Sequence, residues 1–181
     1  MHSTRIPLVC LLLAVAALAL GACAVGADTH AEKPAAPARV TLQRTACFGI
    51  CPAYTVTLSP GGDVSFVGDA HVQTQRAKGQ ATPAQTSAVM EAVTQSGFHA
   101  MRDSYTSRED GCEMMMSDQP SVKITVADAA GSKTVDFYKG CKGAAAEAVK
   151  PKMEQLATVI DRQLDTAQWI GKPAAAEHGS R

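Results

Sequence analysis

Apolar and polar positions alternate through AYTVTLSPGGDVSFVG, residues 53–68. Tyr54, Val56 and Leu58 fall on one side, Thr55 and Thr57 on the other, and Val64 and Phe66 resume the pattern after SPGGD. A period of two is that of a half-buried strand, and Pro, Gly and Asp supply the dihedrals of a tight turn, so the stretch predicts a hairpin. Upstream, Val40 and Leu42 predict a shorter strand leading into Cys47. SVKITVADAAGSKTVDFYKG predicts a second hairpin, with Val122, Ile124 and Val126 on one face and Val135 and Phe137 returning.

Two segments change to a helical period. TPAQ at Thr82 offers an N-cap, a proline suited to the first helical position and Gln85 at capping-box spacing; Val89 and Val93 form a modest stripe, and Gly97 is placed to end the helix. A last helix is expected from near Pro151, where Met153, Leu156, Ile160, Leu164 and Ala167 recur at three and four residues. Between Phe98 and Gln119 the chain is polar and is read as irregular. Strands, helix, strands, helix predict an α+β fold: an antiparallel sheet built from hairpins, with two helices packed on one side.

The ends carry a different message. Leu8 to Leu20 is an apolar run too short for a transmembrane helix, which needs about 20 residues. It follows the basic Arg5 and closes on Gly21-Ala22-Cys23, the layout of an export signal. LGAC resembles the bacterial lipobox, which implies acylation of Cys23 and removal of residues 1–22. Two or more acyl chains, at about 0.8 kcal/mol per buried CH₂, make a durable membrane anchor. Residues 23–39 read as the lipidated cysteine and a flexible Ala/Pro-rich tether, residues 40–170 as one domain, and residues 171–181 as a disordered tail. Ala24, in place of an aspartate after the lipidated cysteine, is compatible with outer-membrane sorting, facing the periplasm, in a diderm host.

Charge and composition narrow the function classes. The chain has 17 basic and 17 acidic residues, and losing Arg5 with the signal leaves 16 against 17, a formal charge of −1. With aromatics at 4% and no basic run, neither the phosphate-neutralising charge nor the stacking surfaces of a nucleic-acid binder are present. No G-x-S-x-G, H-E-x-x-H or G-x-x-x-x-G-K-[ST] motif occurs. Glu109 and Asp110 read as solvated loop carboxylates. No cofactor is implied.

With Cys10 cleaved away and Cys23 acylated, Cys47, Cys51, Cys112 and Cys141 remain. An even number in an exported domain points to disulfides, with three possible connectivities. The pairing favoured is Cys47 with Cys51 and Cys112 with Cys141. In an extended strand Cys47 and Cys51 would stand roughly 13 Å apart, beyond the 4.4–6.8 Å or so that a disulfide spans; Gly49 and Pro52 make a turn possible. Chain entropy gives the two bridges ceilings of roughly 2 and 3.6 kcal/mol. Two other readings stay open. CFGICP resembles the copper-binding motif of Sco-type envelope proteins, with His71 or His99 as a further ligand, and soft thiolates suit copper(I). Here, however, the motif runs into a strand, so no helix N-terminus lowers the thiol pKa. A four-cysteine zinc site is disfavoured by the long Cys112–Cys141 spacing. Met114, Met115 and Met116 cannot all face one ion and are expected to pack under the loop.

CFGICPAYTVTL, a GG turn, SDQP, FYKGC and VIDRQLDTAQWIG together resemble a bacterial family of domains of unknown function. That family is often found on lipoproteins and is marked by Cys-Phe-Gly-x-Cys-Pro-x-Tyr. The matching positions are Cys47, Phe48, Gly49, Cys51, Pro52 and Tyr54, with Asp118, Pro120, Gly140, Cys141, Asp161 and Trp169. The resemblance implies an envelope address and brings no activity with it. The sequence thus leads to a lipid-anchored envelope domain without chemistry of its own, a binding or structural module. Its partners would be the membrane, through Cys23, and an envelope protein. The alternative is a copper(I)-binding or thiol-redox protein using Cys47 and Cys51.

Overall fold

The computed structural model describes residues 38–171. The expected signal peptide, the acylation site at Cys23, most of the tether and the tail beyond Gly171 lie outside the described residues. Within them, nine strands run in chain order: β1 (Arg39–Arg44), β2 (Ala53–Leu58), β3 (Asp63–Ala70), β4 (Arg76–Gln80), β5 (Ser104–Tyr105), β6 (Met114–Met115), β7 (Ser121–Asp128), β8 (Gly131–Tyr138) and β9 (Cys141–Lys142). Three helices join them: α1 (Pro83–Ser96), α2 (Ala144–Gln163) and α3 (Ala167–Ile170). Seven strands form one sheet in the order β4-β3-β2-β1-β7-β8-β5, while β6 and β9 make a separate two-stranded ribbon. Every pairing is antiparallel except that of β5 with β8.

The period-two pattern decides how this sheet is used. Val40, Leu42, Tyr54, Val56, Leu58, Val64, Phe66, Val122, Ile124, Val126, Val135 and Phe137 are buried on one face, under Val89 and Val93 of α1 and Met153, Leu156, Ala157 and Ile160 of α2. Fully burying a side chain of this size contributes about 1.5–3 kcal/mol. The opposite face stays wet and polar: Thr41 bonds Thr57 at 3.2 Å, Thr125 bonds Thr134 at 2.8 Å, and Lys123 pairs with Asp136 at 2.8 Å. The fold is the α+β layer read from the sequence, one face packed and one solvated.

Four details depart from that reading. β4 (RAKGQ) has no apolar alternation, being an edge strand. The stretch from Phe98 to Gln119 is not irregular throughout. It holds a 3₁₀ turn, Phe98–Ala100, and two strands too short to show a period. α2 begins at Ala144 rather than near Pro151, because AAAEAVK is rich in strong helix formers and Gly143 accepts the first bond from the Glu147 amide at 2.9 Å. Pro151 is tolerated inside the helix, on its exposed side. Finally, the apolar stripe of the last helix spans two helices: Asp165, at φ 51°, breaks the chain before α3. Both ends of α1 follow expectation, with Thr82 capping and Pro83 leading at the N-terminus and Gly97 closing the C-terminus in the left-handed region.

Pro151 forfeits one helical hydrogen bond and crowds the carbonyl four residues before it. Pro151→Ala is therefore expected to stabilise the domain by about 1–3 kcal/mol, read as a higher urea midpoint at unchanged slope. An equal or lower midpoint would contradict this account of α2.

Candidate functional site

The β1–β2 connection, residues 45–52, is tied down at three levels. At its base, Arg44 and Tyr54 face each other in register as the last and second residues of their strands. Their side chains point to the helical layer and meet Asp161 of α2. Arg44 donates to Asp161 Oδ2 through Nε at 2.9 Å and Nη2 at 2.6 Å; the Tyr54 hydroxyl donates to Oδ1 at 2.6 Å, and Thr166 adds a bond to Oδ1 at 3.0 Å. Arg44 Nε also donates to the Tyr54 oxygen at 3.0 Å. Burial and the negative charge of Asp161 push the Tyr54 phenol upward, so it stays protonated and donates at physiological pH. Burial is the largest single influence on Arg44 and works against its charge, but the charges of and hydrogen bonds to Asp161 and Tyr54 together outweigh it, and the net shift is upward. Tyr54 stacks on Phe66, with ring centroids 5.2 Å apart, and Phe66 packs on Trp169 at the same separation. Trp169 lies over Gly79, where a Cβ would come within 3.2 Å of the indole. Tyr54, Asp161 and Trp169, distant in sequence, thus form one structural clamp.

Above the clamp, Thr45 pairs with Ser121: its amide donates to the Ser121 carbonyl at 3.1 Å and its hydroxyl accepts from the Ser121 amide at 2.7 Å. The Phe48 amide then donates to the Asp118 carbonyl at 3.1 Å. Asp118 sits at φ 66°, a left-handed conformation that Asp tolerates better than most residues. Pro120 accepts from the Lys139 amide at 3.0 Å, holding the same loop to the end of β8.

The third tie is covalent. Cys47 and Cys51 are bonded with Cα atoms 5.6 Å apart, and Gly49 between them takes φ +141°, closed to most side chains, which gives the turn its shape. Cys112 and Cys141 are bonded with Cα atoms 5.1 Å apart and are buried in the core. That second bridge sits at the foot of the β6–β9 ribbon, where Met115 pairs with Cys141. The Met116 amide donates to Gly140 at 2.9 Å, and the Tyr138 hydroxyl donates to the Met116 carbonyl.

The two tied segments carry an unexpected surface. Phe48 is 89% exposed, Ile50 52%, and Met114, Met115 and Met116 are 62%, 43% and 47% exposed. The methionines therefore do not pack under the loop; the covalent and hydrogen-bonded frame holds the ribbon outward. Five of the six large hydrophobic side chains exposed among the described residues belong to these two segments, Val67 being the sixth. Beside them opens a groove of about 400 Å³ lined by Thr106, Met115, Met116, Ser117, Ser121 and Tyr138.

Bonded to each other, Cys47 and Cys51 offer no thiolate to a metal. His71 follows β3 at φ 53°, and His99 stands edge-on to Phe98. Among the described residues no three His, Cys, Asp or Glu side chains gather as a metal site. Asp110 is not merely solvated: its Oδ2 accepts from the Ser104 hydroxyl at 2.7 Å, the Thr106 amide at 2.9 Å and the Thr106 hydroxyl at 3.1 Å. Sequence reasoning missed this knot and Arg44. The S-Y-T-x-x-x-D spacing is the only local signal for the knot, and Arg44 has none.

Two measurements test this geometry. Asp161→Ala leaves the Arg44 guanidinium without its partner. With about a fifth of each side chain still wet (24% and 20%), the expected loss is about 2–3 kcal/mol, below the range for a fully buried pair. Tyr54→Phe should cost about 1 kcal/mol. Equal and negligible effects in urea melts would contradict the clamp. For Asp110, the hydroxyl of Ser104 and then the amide of Thr106 favour the carboxylate and lower its pKa from 3.8 to about 2. A depressed folded-state value means that this contribution is complete above the unfolded pKa and is lost as pH falls toward the folded one. The Thr106 amide resonance should accordingly titrate with a midpoint near 2; a midpoint near 4 would refute the knot.

Residues 38–163 match a domain of unknown function, DUF6438, and no curated protein matches the chain. The match covers well over half of the chain, from the start of the sheet to the end of α2, and the protein belongs to the DUF6438 family.

Proposed function

We propose that the protein is a non-catalytic binding module of the bacterial envelope. In this reading it is lipid-anchored through Cys23, in the outer membrane facing the periplasm, and docks an apolar segment of an envelope protein on the Phe48–Ile50–Met114–Met116 surface. The observation that carries the reading is the exposure of Phe48 at the tip of a disulfide-closed loop, hydrogen-bonded to the segment that follows three exposed methionines. Large apolar side chains held in water by a rigid frame mark interaction sites, and methionine adapts to varied apolar partners. Preorganisation supports recognition too, because the loop loses little conformational freedom on binding. Two disulfides suit an oxidising compartment, and LGAC supplies the anchor to reach it.

The test is photocrosslinking in intact envelopes, with the reactive residue placed at position 48, at 115, or at Ser65 on the outer face of the sheet. Discrete protein adducts are expected from 48 and 115 and none from 65. Absence of adducts at 48 and 115, or indistinguishable adducts at all three, would overturn the docking surface. In the same cells Cys23→Ala should release the protein from the membrane fraction; continued membrane association would refute the anchor.

A further inference from the structure

The two disulfides are not chemically equivalent, and from their settings we infer that Cys47–Cys51 is a site of thiol–disulfide exchange with a dithiol reductant, whereas Cys112–Cys141 is a permanent bridge. Cys112 and Cys141 are 1% and 0% exposed and belong to the hydrophobic core. A thiolate cannot reach either sulfur without opening that core. Cys47 and Cys51 are half-buried, and the three residues between them are all exposed. Gly49 has no side chain to cover the Cys47 sulfur: a Cβ there would lie 3.9 Å from Sγ. Exchange requires a thiolate to contact one sulfur of the bridge, so access divides the pair that can react from the pair that cannot.

The chemistry closes without a cofactor. One thiolate of the dithiol attacks the sulfur of Cys47 or Cys51; the Cys47–Cys51 bond breaks, and the displaced sulfur leaves as a thiolate that takes up a proton. The second thiol of the reductant, deprotonated, attacks the mixed disulfide and frees the other cysteine, which is protonated in turn. The reductant leaves as its own disulfide, and the bridge has gained two electrons and two protons. Nothing in the core moves, since Phe48, Gly49 and Ile50 bury nothing there and the Arg44–Asp161–Tyr54 clamp lies below the bridge. What changes is the loop that displays Phe48. The bridge exchanges whether or not the apolar surface has a partner, so this inference does not rest on the docking reading.

The test uses the purified oxidised domain and dithiothreitol at neutral pH, quenched at intervals by an alkylating tag and read by mass spectrometry at each cysteine. Cys47 and Cys51 should be tagged faster than Cys112 and Cys141 by more than about tenfold, and a cooperative thermal transition should persist when only the first pair is reduced. Similar rates for the two pairs, or earlier tagging of Cys112 and Cys141, would overturn the inference. Cys47→Ser/Cys51→Ser provides the independent arm. It should unfold cooperatively with Cys112–Cys141 intact, and its failure to fold would show that the surface bridge is not local.

Discussion

A loop of eight residues that fully buries none of its side chains has no reason to hold one shape unless something other than a core holds it. Here that role falls to the closure of residues 45–52. The Cys47–Cys51 bond narrows the loop, the Phe48 amide is spent on the Asp118 carbonyl, and the Arg44–Asp161–Tyr54 clamp fixes both strand ends from which the loop rises. Conformational entropy of about 1–2 kcal/mol per residue opposes such order. Hydrophobic burial cannot offset it at Phe48 or Ile50, which face water. The polar and covalent ties therefore take over where packing ends, and the functional reading depends on them.

The rest of the fold serves that end of the sheet. Its inner face is completed by α1 and α2, and α2 presents Asp161 where Arg44 and Tyr54 converge. The break at Asp165 then turns α3 so that Trp169 covers Gly79 and stacks through Phe66 to Tyr54. The buried Cys112–Cys141 bridge anchors the β6–β9 ribbon, whose methionines are likewise exposed. One bridge is inside and one outside because one fastens the ribbon to the core and the other shapes a loop beyond it. That difference in position gives them different reactivity.

Much of this was legible in the chain. Alternation at Tyr54–Leu58 and Val122–Val126 marks the central strands, because a sheet with one wet face must segregate its residues. Thr82, Pro83, Gln85 and Gly97 announce α1 because helix ends need their own hydrogen-bonding partners. The cysteine spacing, with Gly49 between, already favours the pairing that the structure holds. Other features leave no such trace. β5 and β6 are two residues long, shorter than any period, and β4 is an edge strand with no face to segregate. Pro151 misleads about the start of α2 because the six strong helix formers among the seven residues before it outweigh one unfavourable proline. The exposure of the methionines was unreadable because an apolar run looks the same whether it is folded under a loop or pushed outward by a disulfide at its foot. Arg44 and Asp161, 117 residues apart in the chain, meet only once the sheet and α2 have packed.

The most direct measurement is amide hydrogen exchange at Phe48 in the oxidised domain, resolved residue by residue by NMR. If the loop is held as described, the Phe48 amide, bonded to the Asp118 carbonyl at 3.1 Å, is protected well beyond an unstructured peptide although its side chain is in water. Exchange at the unstructured rate would mean that Phe48 is not displayed in one geometry, and would contradict a preformed recognition surface.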